Sequence, residues 1–301
     1  MGDSGVVGRG EKLFQVIIYT ILGIMALLAI LPFLILLASS LSDNQTLVRE
    51  GYSFWPKNFT LYAYEYLFKT NGPKVFRSYG VTFLVTIAGT AISLLIGPML
   101  AWPLSRKDYK RSKVLTFVVF FTMLFNGGLV PSYIMWTQFF HVKNTIWALI
   151  FPTLLFNGFY IILYKNNFAS NIHPALIEAA KIDGAGEWYV YFKIVLPLSL
   201  PILATIGLMV GLGYWNDWAN GLYYITNDRL FSLQQLLKSI IDNVRALASM
   251  SGTSSGVSVG DLPGASIRMA MAVIGVIPVM ILYPFFQKAF IAGISLGGVK
   301  E

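Results

Sequence analysis

The sequence predicts an all-α polytopic membrane protein with six transmembrane helices. Of its 301 residues, 56% are hydrophobic and only 12% are charged, and the mean hydropathy is +0.65. Soluble domains carry about twice this share of charged residues, about 25%. The chain therefore has too little polar surface for a soluble fold, and the spacing of its charges supports the same conclusion.

Six stretches contain no Asp, Glu, Lys or Arg, and each approaches or exceeds the roughly 20 residues that a helix needs to cross the membrane. A charge at the bilayer centre costs at least ~2.5 kcal/mol, which accounts for these gaps. Bundled soluble helices would have charged outer faces, and a membrane β-barrel would have short alternating strands. The six stretches are residues 13–42, 78–105, 114–142, 144–164, 194–216 and 269–287.

Two of the six stretches have particular features. The first is too long for the apolar core of a signal peptide, so we expect an uncleaved anchor. The third is interrupted by "NGGLVP" (126–131). Two glycines followed by a proline predict that a helix ends there and that a second short helix follows. A broken helix lining a transport pathway is the alternative.

The distribution of basic residues predicts that both termini are cytoplasmic. The largest basic cluster, "SRKDYKRSK" (105–113), lies between the second and third stretches. Cytoplasmic segments of membrane proteins are enriched in Lys and Arg. The same rule accounts for the net charge of +8, so we expect no nucleic-acid partner. The cytoplasmic segments are then 1–12, 105–113, 165–193 and 288–301.

This orientation divides the chain into three parts. We expect a cytoplasmic N-terminal segment (1–12), a membrane domain (13–295) and a cytoplasmic tail (296–301). Two extracytoplasmic loops are long, at about 42–77 and 218–267. The second contains the Ser/Gly-rich stretch "SMSGTSSGVSVGDLPG", whose composition indicates a flexible linker or surface loop.

The chain lacks the residue patterns of an energy source or an enzyme. It has no cysteine, no GxxxxGK[ST] phosphate loop and no HExxH motif. His141 and His173 are its only histidines, and we expect each to be an interfacial or capping residue. Ion-coupled carriers use ionisable groups inside the membrane as relays. The one such group in the charge-free stretches that could matter is His141, and it lies at the edge of the third stretch. We therefore predict no catalytic, metal-binding or cofactor-binding residues, and a driving force supplied by another subunit.

One polar segment interrupts this apolar chain on the predicted cytoplasmic side. It contains "EAAKIDGAGEWYVYFKIVLPLSLP" (178–201). Pro174 suits the first turn of a helix, where its missing N–H costs nothing. Leu176, Ala179, Ala180 and Asp183 have the spacing of one helix face, and two adjacent alanines would allow another surface to approach closely. From composition alone, an ordinary interfacial loop would also fit.

The spacing within this segment closely resembles the EAA loop of the permeases of binding-protein-dependent ABC importers. In that family the loop, here about 170–195, contains a coupling helix that docks into a groove of an ATPase subunit. The matching positions near the coupling helix are Glu178, Ala179, Ala180, Asp183, Gly184 and Ala185. Those at the start of the fifth stretch are Ile194, Pro197 and Pro201.

Further stretches resemble the sugar branch of this family, the maltose-type permeases. They are "FWPKNFTLYAYEYLF" (54–68), "VPSYIMWTQFFHVKNTIWALIFPTLLFNGFYIILYKNNF" (130–168) and "YWNDW" (214–218). The similarity covers most of residues 10–295. The loop at 218–267 is longer and richer in Ser and Gly than expected for a maltose permease, so the particular sugar stays open.

The resemblance implies a type I ABC importer permease in a bacterial inner membrane. Its implied partners are a second related permease in a heterodimer, two ATPase subunits that hold ATP and Mg²⁺, and an extracytoplasmic sugar-binding protein. The implied substrate is a carbohydrate, and we expect an oligosaccharide. A secondary sugar carrier or facilitator independent of ATP is the main alternative, and a membrane-bound enzyme is a further one.

The motif at 214–218 supplies candidate substrate contacts. Aromatic faces stack on the C–H surfaces of sugar rings, and amides bond to their hydroxyls. Tyr214, Trp215, Asn216 and Trp218 combine these groups at the predicted outer end of the fifth stretch. Tryptophans at that depth also form the interfacial belts of membrane proteins, which is the alternative.

Overall fold

The computed structural model describes residues 9–152, 154–254 and 264–298. These residues are helical or irregular, and the one β-type pairing among them is an isolated bridge between Ser42 and Phe59. The α-helices of the first half are α1 Arg9–Ser40, α2 Asn44–Glu50, α3 Tyr62–Glu65, α4 Asn71–Ser105, α5 Ser112–Leu124, α6 Leu129–Ile134 and α7 Trp147–Ile150. Those of the second half are α8 Gly158–Asn171, α9 Pro174–Ile182, α10 Glu187–Val190, α11 Leu196–Leu198, α12 Leu200–Trp215, α13 Ala219–Tyr224, α14 Leu233–Ser254 and α15 Ala265–Gly298.

Four shorter helical segments join these helices. Three are π-helical and one is a 3₁₀ turn: Tyr66–Thr70, Met135–Phe139, Tyr191–Val195 and Asp228–Leu230. The all-α prediction is confirmed. The N-terminal residues 1–8, the end of the tail at 299–301 and most of the Ser/Gly-rich stretch, at 255–263, lie outside the described residues.

Three helices are long and apolar enough to cross a membrane alone: Lys12–Ser40, Asn71–Ser105 and Ala265–Pro284. Only 6% of the apolar window of the first is buried within the chain, which is the pattern of a helix surrounded by lipid or by another subunit. Two further spans are formed if each of two bent helix pairs counts as one. The described residues thus contain three to five spans, and the predicted sixth is not confirmed.

The third charge-free stretch is broken where its Gly-Gly-Pro pattern predicted. Helix α5 ends at Leu124, and the helical pair that it forms with Leu129–Phe139 is bent by 112°. Gly128 adopts a left-handed φ of 87°, and its N–H donates to Oδ1 of Asn126 at 2.9 Å. Glycine makes this conformation accessible without a steric penalty. The prediction of a helix end followed by a short helix is therefore confirmed.

The fourth stretch does not form one long helix. It contains the single turn α7 and the first half of α8, separated by an irregular connection that includes Pro152. Asn157 ends this connection by accepting a hydrogen bond from the N–H of Phe159 at 2.9 Å, which caps α8. At 14 residues, α8 measures about 21 Å, which is shorter than the ~30 Å hydrocarbon layer. One spanning helix was predicted for this stretch, whereas the described residues form two separate helices in it.

The fifth stretch is bent by 78° between Glu187–Leu198 and α12. Pro197 and Pro201 flank the bend. Proline has no N–H to donate, and its ring clashes with the carbonyl four residues earlier, so two prolines in this spacing break the helix. The π-helical segment Tyr191–Val195 immediately precedes the bend.

The region 218–267 is more ordered than the predicted loop. Helix α14 occupies 22 residues of it, and the first six residues of the Ser/Gly-rich stretch continue that helix. Leu233, Leu236, Leu237 and Ile240 are buried at the spacing of one helix face. This amphipathic pattern, rather than the Ser/Gly composition, decides the structure up to Ser254.

The described residues fall into two compact units: residues up to Gly72 with Ile241–Val276, and Pro73–Ile240 with the residues from Ile277. In the first unit, Oδ1 of Asn44 accepts from the N–H of Ala265 at 2.9 Å and so caps the start of α15.

In the second unit, α4 packs closely against α12 through small residues. Gly89 lies against the ring of Tyr214, and Gly207 lies against Leu94. Residue numbers rise along one helix as they fall along the other, so the two helices run antiparallel. Small residues allow the close helix approach that is typical of membrane interiors.

Candidate functional site

The predicted coupling segment begins with a well-capped helix. Pro174 is the first residue of α9, as expected. His173 precedes it, and its Nδ1 accepts a hydrogen bond from the N–H of Ala175 at 3.3 Å. The prediction of a capping role for His173 is confirmed. Because α9 has only nine residues, such end contacts make a large contribution to its stability.

One face of helix α9 packs against the core, and the rest of the helix is exposed. Ala180 is buried, and the partly buried Ile177 packs against the same hydrophobic core. Leu176, Ala179 and Asp183, which were predicted to share a face with Ala180, are exposed. Of the two adjacent alanines, only Ala179 is therefore accessible to a partner, because Ala180 faces inward.

Helix α9 ends in a Schellman motif centred on Gly184. The N–H of Gly184 donates to the carbonyl of Lys181 at 3.0 Å, and the N–H of Ala185 donates to the carbonyl of Ala180 at 2.9 Å. This pair of bonds satisfies the last carbonyls of the helix and requires a left-handed residue at the centre. Gly184 has φ +81°, a left-handed conformation that glycine adopts without a steric penalty. A Cβ at this position would meet open space within 4 Å.

Helices α9 and α10 both carry large apolar side chains that are exposed. Ile182 is 86% exposed and Trp188, in α10, is 65% exposed, and Tyr189 and Leu176 are also exposed. Exposed apolar side chains outside the charge-free stretches are candidates for an interaction site. Glu178, the first residue of the EAA sequence, is also exposed. The EAA pattern did not identify Ile182, Trp188 and Tyr189; their size and apolar character next to the Asp-Gly turn were the available signal.

A network of ion pairs joins this segment to the loop after α4. The guanidinium of Arg106 contacts the carboxylates of Asp108 and Glu187, and Lys181 contacts Glu187 at 3.1 Å. The guanidinium also lies 5.6 Å from the ring centroid of Trp102, within cation–π range. Residues 81 positions apart in sequence are therefore held together at one end of the second unit.

Hydrogen bonding within this network shifts the titration of its members. The hydrogen bond from Arg106 lowers the pKa of the Asp108 carboxyl. The hydrogen bond to Asp108 in turn raises the pKa of Arg106. An acid with a lowered pKa in the folded state stabilises that state above its unfolded pKa and loses this contribution as the pH falls. The pair is therefore charged and intact at neutral pH.

A cavity of about 410 Å³ lies beside the network. Its aromatic lining comes from Trp102, Tyr109, Trp188 and Tyr191, with Arg106 and Glu187 among the polar lining groups.

The "YWNDW" motif builds the turn after α12. Tyr214 is buried, and its hydroxyl donates to the carbonyl of Ile150 at 2.9 Å. Trp215 is also buried and meets the ring of Phe83 edge-on, with centroids 5.2 Å apart. These two aromatic residues of the predicted substrate path pack against protein.

The remaining residues of the motif cap helices or face outward. Oδ1 of Asp217 accepts from the N–H groups of Ala219 at 3.1 Å and Asn220 at 3.2 Å, which caps α13. Burial raises the pKa of Asp217, and these hydrogen bonds oppose the shift. Asn216 is exposed, and its Nδ2 donates to a carbonyl of α12. Trp218 is 42% exposed, so Asn216 and Trp218 are the members of the motif that a solute can reach.

Comparison with known proteins places this architecture in a family. The family described as "Binding-protein-dependent transport system inner membrane component" matches residues 4–296. The polygalacturonan/rhamnogalacturonan transport system permease YtcP of Bacillus subtilis (strain 168) is 39% identical over 96% of this chain and 99% of its own. The arabinooligosaccharides transport system permease AraQ of Halalkalibacterium halodurans is 28% identical over 91% of this chain and 92% of its own.

A solved structure has the same fold. It is a chain from a crystal structure of a bacterial ABC transporter involved in the import of the acidic polysaccharide alginate. The two chains superpose with a TM-score of 0.75 and 28% identity over 95% of this chain and 100% of the other. The match to residues 4–296, nearly the whole length, shows that this chain belongs to the family of inner membrane components of binding-protein-dependent transport systems.

Proposed function

We propose that the chain is a permease subunit of an ATP-driven importer that carries an oligosaccharide into the cytoplasm by alternating access. The observation that carries this proposal is the exposed surface of α9 and α10. It presents Glu178, Ala179 and Gly184 beside the apolar side chains of Ile182 and Trp188. A short helix held by caps at both ends and left open on one face is suited to docking against a partner.

The partner at this surface is an ATPase subunit. The EAA residues that define the resemblance to the coupling loop lie on or next to the open face of α9, while Ala180 holds the helix to the core. Two ATPases, a second permease and an extracytoplasmic binding protein complete the proposed complex. ATP and Mg²⁺ are bound by the ATPases, and this chain contributes motion and a path rather than catalysis.

The substrate we propose is an oligosaccharide that carries carboxylate groups. YtcP is named for polygalacturonan and rhamnogalacturonan, and the structural neighbour imports alginate, so both relatives handle acidic polysaccharides. Trp218 is exposed at the end of the fifth span, and the ammonium of Lys238 lies 5.2 Å from its ring centroid. An aromatic face with an adjacent cation suits a sugar ring bearing a carboxylate.

Uptake by the reconstituted complex tests this function. We expect proteoliposomes containing both permeases and both ATPases to take up oligogalacturonides in the presence of ATP and the binding protein. Uptake of neutral arabinooligosaccharides should be lower. Uptake that persists without the ATPases would contradict the proposal and favour a secondary carrier, and equal uptake of both sugars would contradict the acidic substrate.

Orientation is a separate prediction, with both termini in the cytoplasm. Because the chain has no cysteine, single cysteines report topology directly. Trp55 is 83% exposed in the predicted outer loop, and Lys110 is exposed in the basic cluster. In intact cells we expect Trp55→Cys to react with a membrane-impermeant maleimide and Lys110→Cys to react only after the membrane is opened. The reverse pattern would invert the topology.

A further inference from the structure

The helix that carries the proposed docking surface is separated from its own span by a bend. Above the bend, α12 is held to α4 by the close contacts at Gly89 and Gly207. Below it, the 78° turn redirects Glu187–Leu198 away from the axis of α12. A displacement of α9 and α10 therefore does not pass along a straight rigid helix into the fifth span. Any transmission of this displacement to α4 must therefore run through contacts that α9 and Glu187–Leu198 make with α4.

Arg106 makes such a contact where α4 ends. Its side chain is only 11% exposed, although the side chains of Asp108 and Glu187 are more than half exposed. Trp102, one turn earlier in α4, packs beneath the guanidinium. The donors of a guanidinium form a rigid planar fork, so two carboxylates on one arginine fix direction as well as distance. Glu187 is the first residue of α10, and Lys181 links it to α9.

We propose that Arg106 is a positioning residue that clamps the coupling segment to the inner end of α4, so that movement of α9 and α10 displaces the second span. This inference rests on the proposed function, because it assigns the transmission of the ATPase movement to a particular contact. Val190 of α10 also belongs to the same buried core as Ala101 and Leu104 of α4, so apolar packing holds the segment in place alongside the clamp.

The clamp is expected to position the coupling segment while contributing little to the stability of the fold. Ion pairs with exposed acids contribute little to stability, because water and salt screen them. Loss of Arg106 is therefore expected to leave the chain folded, with the docking surface of α9 intact. The quantity that should change is the amount of sugar moved for each ATP hydrolysed.

Arg106→Gln tests this inference, with Lys107→Gln as the matched control. Lys107 is the adjacent exposed residue and loses the same charge. In proteoliposomes with partner permease, ATPases and binding protein, we measure ATPase retention, ATP hydrolysis and oligogalacturonide uptake. Arg106→Gln should retain the ATPases and hydrolyse ATP, while uptake per ATP falls about fivefold or more, the lower range of coupling between sites. Lys107→Gln should match the wild-type ratio.

Chemical restoration of the charge distinguishes the clamp from general packing. Arg106→Cys in complexes otherwise free of cysteine should show the same loss of uptake per ATP. Modification with aminoethyl methanethiosulfonate restores a positive charge and should recover part of the ratio, whereas the negatively charged sulfonatoethyl reagent should not. Equal effects of the two reagents would contradict an electrostatic clamp.

Three further results would overturn the inference. Wild-type rates of both hydrolysis and uptake in Arg106→Gln would remove the clamp from coupling. A proportional fall of hydrolysis and uptake would assign Arg106 to folding or docking alone. A wild-type complex without ATP-dependent uptake would contradict the proposed function, and with it the inference. This failure is distinguishable from the other two, because it is observed in the wild-type complex and not only in the variant.

Discussion

Gly184→Val is expected to lower uptake strongly while the permease still inserts and pairs with its partner permease. Gly184 has φ +81° at the centre of the Schellman motif. A left-handed conformation costs a residue with a side chain roughly 1–2 kcal/mol, and a β-branched side chain is the least tolerant. The strain is relieved if φ becomes negative, but the chain between α9 and α10 then takes a different direction. Ile182 and Trp188, which lie on either side of this turn, would then be displaced relative to each other.

The expected loss is roughly 5- to 30-fold in ATPase retention, the equivalent of one to two kcal/mol. The measurement is co-purification of the ATPase with the complex, alongside uptake in proteoliposomes. Gly186→Val is the matched control, because Gly186 has φ −74° and a Cβ there also meets open space. The same loss in both variants would show that bulk in this loop, rather than the backbone conformation of Gly184, is responsible.

A second variant separates two reasons for glycine at this position. Asparagine tolerates the left-handed region but adds a side chain. If backbone strain is the whole reason, Gly184→Asn should retain the ATPase. If the ATPase groove also lies against Gly184, Gly184→Asn should lose retention as well, because space that is open in the isolated chain is then filled by the partner.

The sequence predicted the coupling segment in more detail than the spans around it. Pro174, Gly184 and the break at 126–131 follow local rules, since each depends on a backbone conformation that few residue types allow. The break in the fourth charge-free stretch was not predicted, because the absence of charge indicates only that a segment is apolar and not that its helix is continuous. Pro152 and the cap at Asn157 interrupt the helix without adding any charge.

The parts that escaped prediction depend on tertiary structure or on a competing signal. In α14, Leu233, Leu236 and Ile240 are buried, and their spacing in the sequence is that of one helix face. The neighbouring Ser/Gly-rich stretch nevertheless led to the prediction of a loop. The clamp between Arg106 and Glu187 joins residues far apart in sequence, and no spacing rule connects them. In the same way, the burial of Tyr214 depends on which helix lies opposite.

Gly89→Val is expected to disrupt the second unit itself. A Cβ at Gly89 would lie 2.4 Å from Cζ of Tyr214, which is far inside van der Waals contact. The ring is held in place, because Tyr214 is buried and its hydroxyl bonds to the carbonyl of Ile150. Helices α4 and α12 must therefore separate. Overpacking of this kind destabilises proteins by roughly 1–3 kcal/mol.

The loss should appear as a lower melting temperature of the detergent-solubilised complex and as reduced uptake. Gly80→Val is the control within the same helix, since a Cβ at Gly80 meets open space within 4 Å. Tyr214→Leu withdraws the ring, so it should be less harmful in the Gly89→Val background than alone, giving a favourable interaction energy in a double-mutant cycle. Strictly additive effects, or equal losses for Gly80→Val and Gly89→Val, would show that these two residues do not set the approach of α4 to α12.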